Sequence, residues 1–287
     1  MDRFETERPR LRAVAYRMLG SLSEAEDAVQ EAWLRLERTD TSEIENLAGW
    51  LTTVVARICL NMLRSRETRR EEPLETRVPD PIVTRGEVID PEHEVMLTDS
   101  VGLALLVVLE SLQPAERLAF VLHDMFAVPF DEIAPLIDKT PAATRQLASR
   151  ARRRVQGQAP VPDPDLTLQR KVVDAFFEAS RDGRFEALVA VLDPDVILRS
   201  DGGTARARQT VVLRGAETVA SQAALYRSLI PFVRPVLING AAGVVVVSGN
   251  GPLSLMAFTV TSARIVAIDV IVDPERLRAL GLDDFSA

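Results

Sequence analysis

A chain of 287 residues is long enough for about two domains of ordinary size. Its 34 basic and 42 acidic residues leave it acidic, which excludes indiscriminate binding to polyanions. A single cysteine, Cys59, excludes an internal disulfide and a cysteine-rich zinc site.

The start, Met1 to Glu5, lacks the apolar core of a signal peptide, and no apolar run is long enough to span a bilayer. The expected location is the cytoplasm, with no membrane partner. Residues 4–66 read as all-helical. Leu11, Val14, Ala15, Met18 and Leu19 form one apolar stripe. Ser23 with Glu26 three residues on predicts a capping box, opening a helix whose Ala25, Val29, Ala32, Trp33 and Leu36 face inward. A third helix is expected after Asn46, burying Trp50, Leu51, Val54, Val55, Ile58, Cys59, Met62 and Leu63. On its other side Thr53, Arg57, Asn61 and Arg64 recur at helical steps and make a polar, cationic ridge. An ordinary solvated face would mix both signs, whereas Leu47 to Arg66 contains no acid.

Residues 67–93 break the pattern with Pro73, Pro79, Pro81 and Pro91 among dense mixed charge, and predict a linker, extended around Val78-Pro79-Asp80-Pro81. A second helical unit follows over 94–157. Within it Phe130, Ile133, Ala134 and Ile137 give a short helix one apolar face, and Asp138-Lys139-Thr140 breaks it. Thr140 stands where an N-cap belongs, with Pro141 at the first helical position. The next helix has a thin inner face of Thr144, Ala148, Ala151 and Val155. Lys139 to Arg154 holds six basic residues and no acid. Two short helices joined by a tight turn, the second one cationic, predict a helix-turn-helix whose second helix enters a major groove; a solvated basic helix is the plainer alternative.

Residues 158–165, with Pro160, Pro162 and Pro164, predict a stiff spacer. Beyond it, one helix carries Val172, Val173, Phe176 and Phe177, and a shorter one Phe185, Leu188, Val189 and Leu192. Six β-rich runs follow: 196–198, 209–213, 232–238, 243–247, 253–260 and 265–272, with a helical stretch near 216–229. Helices followed by mostly antiparallel strands imply an α+β domain with a curved sheet wrapped around a helix. Nothing reads as a phosphate-cradling glycine loop or a metal-ligand cluster, so no cofactor and no metal are expected; His93 and His123 are isolated and read as structural.

Arg17-Met18-Leu19-Gly20-Ser21 with Glu24 to Leu36 resembles the first conserved region of bacterial extracytoplasmic-function sigma factors of the sigma-70 family. Leu112 to Arg117 and Phe130 to Ala134 resemble the other conserved half, which binds the upstream promoter element. Residues 166–287 resemble the SnoaL-like, cystatin-like cone of polyketide cyclases and ketosteroid isomerases, which one subgroup of these sigma factors carries at its C-terminus. The implied fold is multidomain: two all-α sigma domains, 1–66 and 94–157, the second with the helix-turn-helix, and a C-terminal α+β cone over 166–287.

The resemblance implies core RNA polymerase and promoter DNA as partners. It assigns the polymerase contact to Asp27, Gln30, Glu31 and Trp33, and the melting and reading of the downstream element to Asn46–Arg64, where Thr53, Arg57, Asn61 and Arg64 lie. It assigns upstream-element reading to Thr140–Arg154. Thr144 and Arg145 occupy the half where base edges are reached, and Arg150, Arg152 and Arg153 are better placed for phosphate. The subgroup's linker motif is similar to Arg77-Val78-Pro79-Asp80-Pro81-Ile82. Its Asp-Gly-Gly-Gly-Lys motif is matched by Asp201-Gly202-Gly203 and then lost, and its Asn-Pro-Asp-Arg-Leu motif is loosely matched by Asp273-Pro274-Glu275-Arg276-Leu277. The resemblance implies control of the sigma half by the extra domain. Asp201 to Gly203 is expected as an exposed turn facing the sigma half or its linker, with Asp273 to Leu277 leading into the tail.

Two other readings stay open. The cone is an enzyme if Asp195, Asp201 or Asp269 stands as acid or base in an apolar cavity, although capping of a turn explains Asp201 equally well. A ligand-responsive repressor would use the helix-turn-helix but leave residues 4–66 without a purpose. A small-molecule ligand in the cone is compatible with every reading.

Overall fold

The structure, a computed structural model, describes residues 2–40, 44–69, 77–84, 102–249 and 251–282. His93, the linker positions 70–76 and 85–93, and the expected helical start at 94–101 lie outside the described residues. The chain packs as two units. One holds the described residues up to 69 together with 105–159; the other holds 77–84, 102–104 and 160–282.

Three helices begin the first unit: α1 (Asp2–Leu19), α2 (Leu22–Glu37) and α3 (Leu47–Arg69). The stripe of Leu11, Val14, Ala15, Met18 and Leu19 is wholly buried, as its spacing requires. Tyr16 and Arg17 are buried as well, so the last turns of α1 are enclosed on every side. The Arg17 guanidinium lies over the Phe126 ring, 5.1 Å from its centroid. The expected capping box is absent. Helix α2 starts two residues earlier, at Leu22 after Ser21, and Ser23 sits in its first turn. Glu26 pairs instead with Arg8 and, at 3.5 Å, with Arg12 of α1; two nearby guanidinium groups attract a carboxylate more strongly than one backbone N–H. Asn46 does cap α3, its Oδ1 accepting the Gly49 N–H at 3.0 Å. Leu51, Val55, Ile58, Cys59 and Leu63 are buried, while Trp50, Val54 and Met62 are only half-buried. Burial pushes the Cys59 thiol pKa up, in keeping with a core residue.

The unit continues with α4 (Leu103–Glu110), α5 (Pro114–Phe120), a π-turn over Val121–Met125, α6 (Phe130–Ile133) and α7 (Pro141–Gln158). The helix expected through Ile137 stays α-helical only to Ile133 and tightens to 3₁₀ over Ala134–Leu136, where Pro135 has no N–H to give. Asp138, with φ 53°, makes the break. Thr140 caps α7 by accepting from the Ala143 N–H at 3.2 Å, and Pro141 is its first residue. His123 bonds the Val128 carbonyl at 3.0 Å and stacks on Phe130, a structural placement.

The second unit contains α8 (Leu166–Arg181), α9 (Phe185–Val191), α10 (Ala216–Leu225), α11 (Pro274–Ala279) and a seven-stranded sheet. The strands are β1 (Val83–Thr84), β2 (Leu192–Asp201), β3 (Val211–Arg214), β4 (Val233–Ile238), β5 (Ala241–Ser248), β6 (Gly251–Thr261) and β7 (Arg264–Ile271). Their order is β1-β4-β5-β6-β7-β2-β3, antiparallel except for β2 beside β7. Each of the six expected runs holds a strand. Phe176, Phe177 and Phe258 meet edge to face in the core between α8 and the sheet. Phe185, expected inside, is 44% exposed because it opens α9 one turn ahead of buried Leu188.

Neither proline-rich segment is a free linker where it is described. Val161 and Asp163 are pinned to the β6–β7 turn. The Asp163 N–H donates to the Val260 carbonyl at 2.8 Å, and its carboxylate accepts the Ser262 and Ala263 N–H groups at 3.1 and 3.0 Å. Both of those residues have positive φ, which turns their N–H groups toward one acceptor. Residues 77–84 belong to the second unit and supply its edge strand, Val83 and Thr84 pairing with Ile238 and Leu237.

Candidate functional site

Helix α7 presents a cationic surface built on a buried small face. Thr144, Ala148 and Ala151 are wholly buried. Thr144 is therefore excluded as a base-reading residue: its hydroxyl donates to the Thr140 carbonyl at 3.0 Å, inside the packing face. Arg145 and Arg153 are exposed, with Arg145 lying over the Phe130 ring at 5.3 Å. Two of the expected phosphate contacts have local counter-ions that α7 itself does not reveal. Arg150 faces Glu116 at 3.5 Å and Arg152 faces Asp124 at 2.5 Å. Thr140 is exposed at the helix start.

On α3 the ridge is real as a surface: Arg57, Asn61 and Arg64 are exposed and Thr53 is half-buried. Thr53 also lines a small pocket of about 190 Å³ with Asn46, Phe126, Val128 and Glu132, so helices of the two halves meet beside the N-terminal end of α3. On α2, Asp27 and Gln30 are exposed, while Glu31 is half-buried and bonds Arg35 at 2.9 Å. Trp33 is half-buried against Phe4, ring centroids 4.8 Å apart, and so divides its surface between core and solvent.

The three remaining motifs come together in the second unit. Arg276, on the first turn of α11, donates to Asp80 from Nε (2.9 Å) and Nη2 (2.6 Å), to Asp201 from Nη1 (2.6 Å), and to the Val78 carbonyl from Nη2 (2.5 Å). The Val78 N–H returns to Asp201 Oδ2 at 3.0 Å. Asp273 caps α11 by accepting the N–H groups of Glu275 and Arg276, with Pro274 at the first helical position. Burial works against the Arg276 charge, and Asp80 and Asp201 more than restore it, leaving its pKa raised. The expected exposed turn is corrected: Asp201 is 2% exposed and Gly202 is buried. The reason is that Asp201 serves as a structural acceptor, for the Gly203 N–H at 3.0 Å, Val78 and Arg276. Val78, Pro79, Pro81 and Ile82 are buried and Asp80 is half-buried.

Sequence reasoning overlooked Asn239. Its Oδ1 accepts the Ile82 N–H at 2.9 Å and its own N–H donates to the Ile82 carbonyl at 2.9 Å. Asn239-Gly240, both with positive φ between β4 and β5, was a readable hairpin signal, but its hold on residue 82 was not. Arg117 was read only as part of the Leu112–Arg117 motif, and its buried role was not. Only 2% exposed, it donates to the carbonyls of Leu109 and Met18, each at 2.7 Å, and tying α5 to the end of α1 is a packing role that no local pattern announces.

The candidate catalytic carboxylates do not converge on a cavity. Asp195 is exposed, Asp201 is held by Arg276, and Asp269, 2% exposed, pairs with Arg199 at 3.0 Å. Burial raises the Asp269 pKa, and Arg199 offsets only part of that rise. None of the three lines the cavity of the second unit.

A helix-turn-helix with a cationic second helix, beside a three-helix unit with its own cationic ridge, has the layout of a DNA-binding protein. Sigma-70 region 2 matches residues 3–69 and Sigma-70, region 4 matches residues 102–155. The chain is 42% identical to the ECF RNA polymerase sigma factor SigJ of Mycobacterium tuberculosis over 223 residues, 76% of this chain and 70% of that protein. It is 36% identical to the probable ECF RNA polymerase sigma factor SigI of the same species over 270 residues, 93% of this chain and 91% of that one. The crystal structure of Mycobacterium tuberculosis SigJ superposes with a TM-score of 0.79 at 35% identity, covering 96% of this chain and 97% of that chain. The chain belongs to the ECF RNA polymerase sigma factors, and the match to the SigJ structure extends over its C-terminal α+β unit. Among the described residues, no helix is long and apolar enough to cross a membrane.

Proposed function

We propose that this transcription initiation factor, which binds core RNA polymerase and directs it to promoters, is restrained in cis by its C-terminal unit through the Arg276 clamp. One observation carries the reading. A stretch of the segment between the two promoter-reading halves is held by Arg276, Asp201 and Asn239, all from the C-terminal unit. Holding that stretch limits how far the halves can be spaced, and spacing is what engagement of two promoter elements demands.

Roles within the sigma half are carried over from the resemblance, and the exposure and charge of these residues support them. Asp27, Gln30, Glu31 and the free edge of Trp33 serve the polymerase. Thr53, Arg57, Asn61 and Arg64 serve the opened downstream element, where single strand needs cations and polar partners beside it. Thr140 and Arg145 serve the upstream element, with Arg150, Arg152 and Arg153 on phosphates. Thr144 holds the helix in place. The C-terminal unit acts as a regulator and not as an enzyme, since its candidate carboxylates are all spent on structural partners or lie on the surface.

The test is run-off transcription with core polymerase, comparing the full chain with its Arg276→Met and Asp80→Asn variants, each first shown by circular dichroism to be folded. Release of the clamp is expected to raise promoter-dependent transcript. Transcript unchanged or lowered in both folded variants would sink the restraint.

A further inference from the structure

The C-terminal unit encloses a cavity of about 480 Å³, inside the size range of small-molecule sites. Its walls are mostly apolar, with Phe176, Leu198, Val246, Met256 and Val270 among them, and it has no Asp or Glu. Two arginines line it, Arg206 and Arg208. Neither forms an ion pair among the described residues. Arg206 is held by neutral groups alone: its Nη1 donates to the carbonyls of Val272 at 3.0 Å and Leu253 at 3.4 Å. Its Nε and Nη2 donate to nothing among the described residues.

That arrangement is a charge without a counter-ion beside an apolar space. A guanidinium anchored through one nitrogen keeps a two-donor edge, whose geometry matches a carboxylate. A polyphosphate would set several negative charges against two guanidinium groups in a mostly apolar space, and a cation would meet two positive charges with no acid to offset them. An uncharged apolar molecule would fill the space and leave the guanidinium edge unmatched.

We propose that the cavity of the C-terminal unit is a binding site for an amphipathic monocarboxylate, its apolar skeleton among Phe176, Val246, Met256 and Val270 and its carboxylate on the free edge of Arg206. The cavity wall holds no carboxylate and no histidine, and what is proposed for it is binding, without turnover. The site is independent of the restraint argued above, since either could hold without the other.

The experiment is isothermal titration calorimetry on the full chain with decanoate, decanol and decyltrimethylammonium, each below its micelle threshold. Decanoate is expected to bind saturably, at one per chain, about tenfold or more tighter than either of the others. Arg206→Met should erase that preference while leaving decanol binding in place, and Arg206→Lys should recover part of it. Met256→Trp, which fills the cavity from one of its apolar lining positions, should abolish binding of all three probes. Circular dichroism and the thermal transition of each variant establish that it is folded. Absence of saturable decanoate binding, equal affinity for the three probes, or decanoate binding that survives both Arg206→Met and Met256→Trp would overturn the proposal.

Discussion

Gly203 occupies a place that no other residue fits. Its φ of 54° lies in the left-handed region, and a Cβ there would run into the Asp273 carboxylate. Gly202 is equally confined, because a Cβ would meet the Arg206 carbonyl oxygen. These are two causes for one dipeptide: close approach at the first glycine, close approach and backbone sign at the second. Gly203→Ala pushes directly on the cap of the helix that carries Arg276, so strain at residue 203 is transmitted to the clamp. It is expected to lower stability by about 1–3 kcal/mol, the usual cost of forcing a group into filled space, read as a shift in the urea midpoint at constant slope. A midpoint unmoved by Gly203→Ala would show that the turn yields and that the glycine is dispensable. The Asp-Gly-Gly sequence was legible as a turn. Its burial was not, because the partners of Asp201 stand 75 and 123 residues away and turn composition reports only on near neighbours.

At the scale of elements, the faces of α1, α3 and α7 were legible because a 3.6-residue period states which side is buried without any knowledge of what covers it. What covers the other side is invisible to that period. Helix α7 has no acid of its own, yet Glu116 from α5 and Asp124 from the π-turn reach two of its arginines. The capping box failed for the same reason, since Arg8 and Arg12 come to Glu26 from another helix. The cations of α7 are therefore unequal toward DNA. Arg153 brings an exposed charge, and its loss in Arg153→Ala should flatten the salt dependence of promoter binding by a slope of about 1. Arg152→Ala should change the slope by less, since Asp124 already opposes that charge. Arg145→Ala should reduce discrimination among upstream elements by about 1–3 kcal/mol, the worth of a bidentate base contact, with little effect on the slope. Binding isotherms at several salt concentrations on matched and altered promoters separate the three. Equal slopes for Arg152→Ala and Arg153→Ala would mean that the Asp124 pair dissolves on DNA.

For the whole molecule, the decisive fact is that a segment read as a charged, proline-punctuated linker is in part a strand of the C-terminal unit. Composition could not say that its end, Val83–Thr84, pairs as a strand or that its Val78 and Ile82 are nearly solvent-free. The segment is held at two points that share no side chain. Its first half rests on Asp201 and Arg276, with the Val78 N–H on Asp201 Oδ2 and the Val78 carbonyl under Arg276. Its second half rests on Asn239 and the short pairing of β1 with β4. Two latches in series release together only if opening is cooperative, and eight residues with alternating prolines transmit little cooperativity, because Pro79 and Pro81 offer no N–H to a ladder. Local opening then follows the local partner. In the full chain, Arg276→Met is expected to speed hydrogen exchange at the Val78 amide while Ile82 stays protected. Asn239→Gly, which keeps the left-handed turn and removes the acceptor, should do the reverse. The double variant should expose both amides and give more promoter-dependent transcript than either single change. Loss of protection at both amides in Arg276→Met alone would make the segment a single cooperative latch, with Arg276 as its only key.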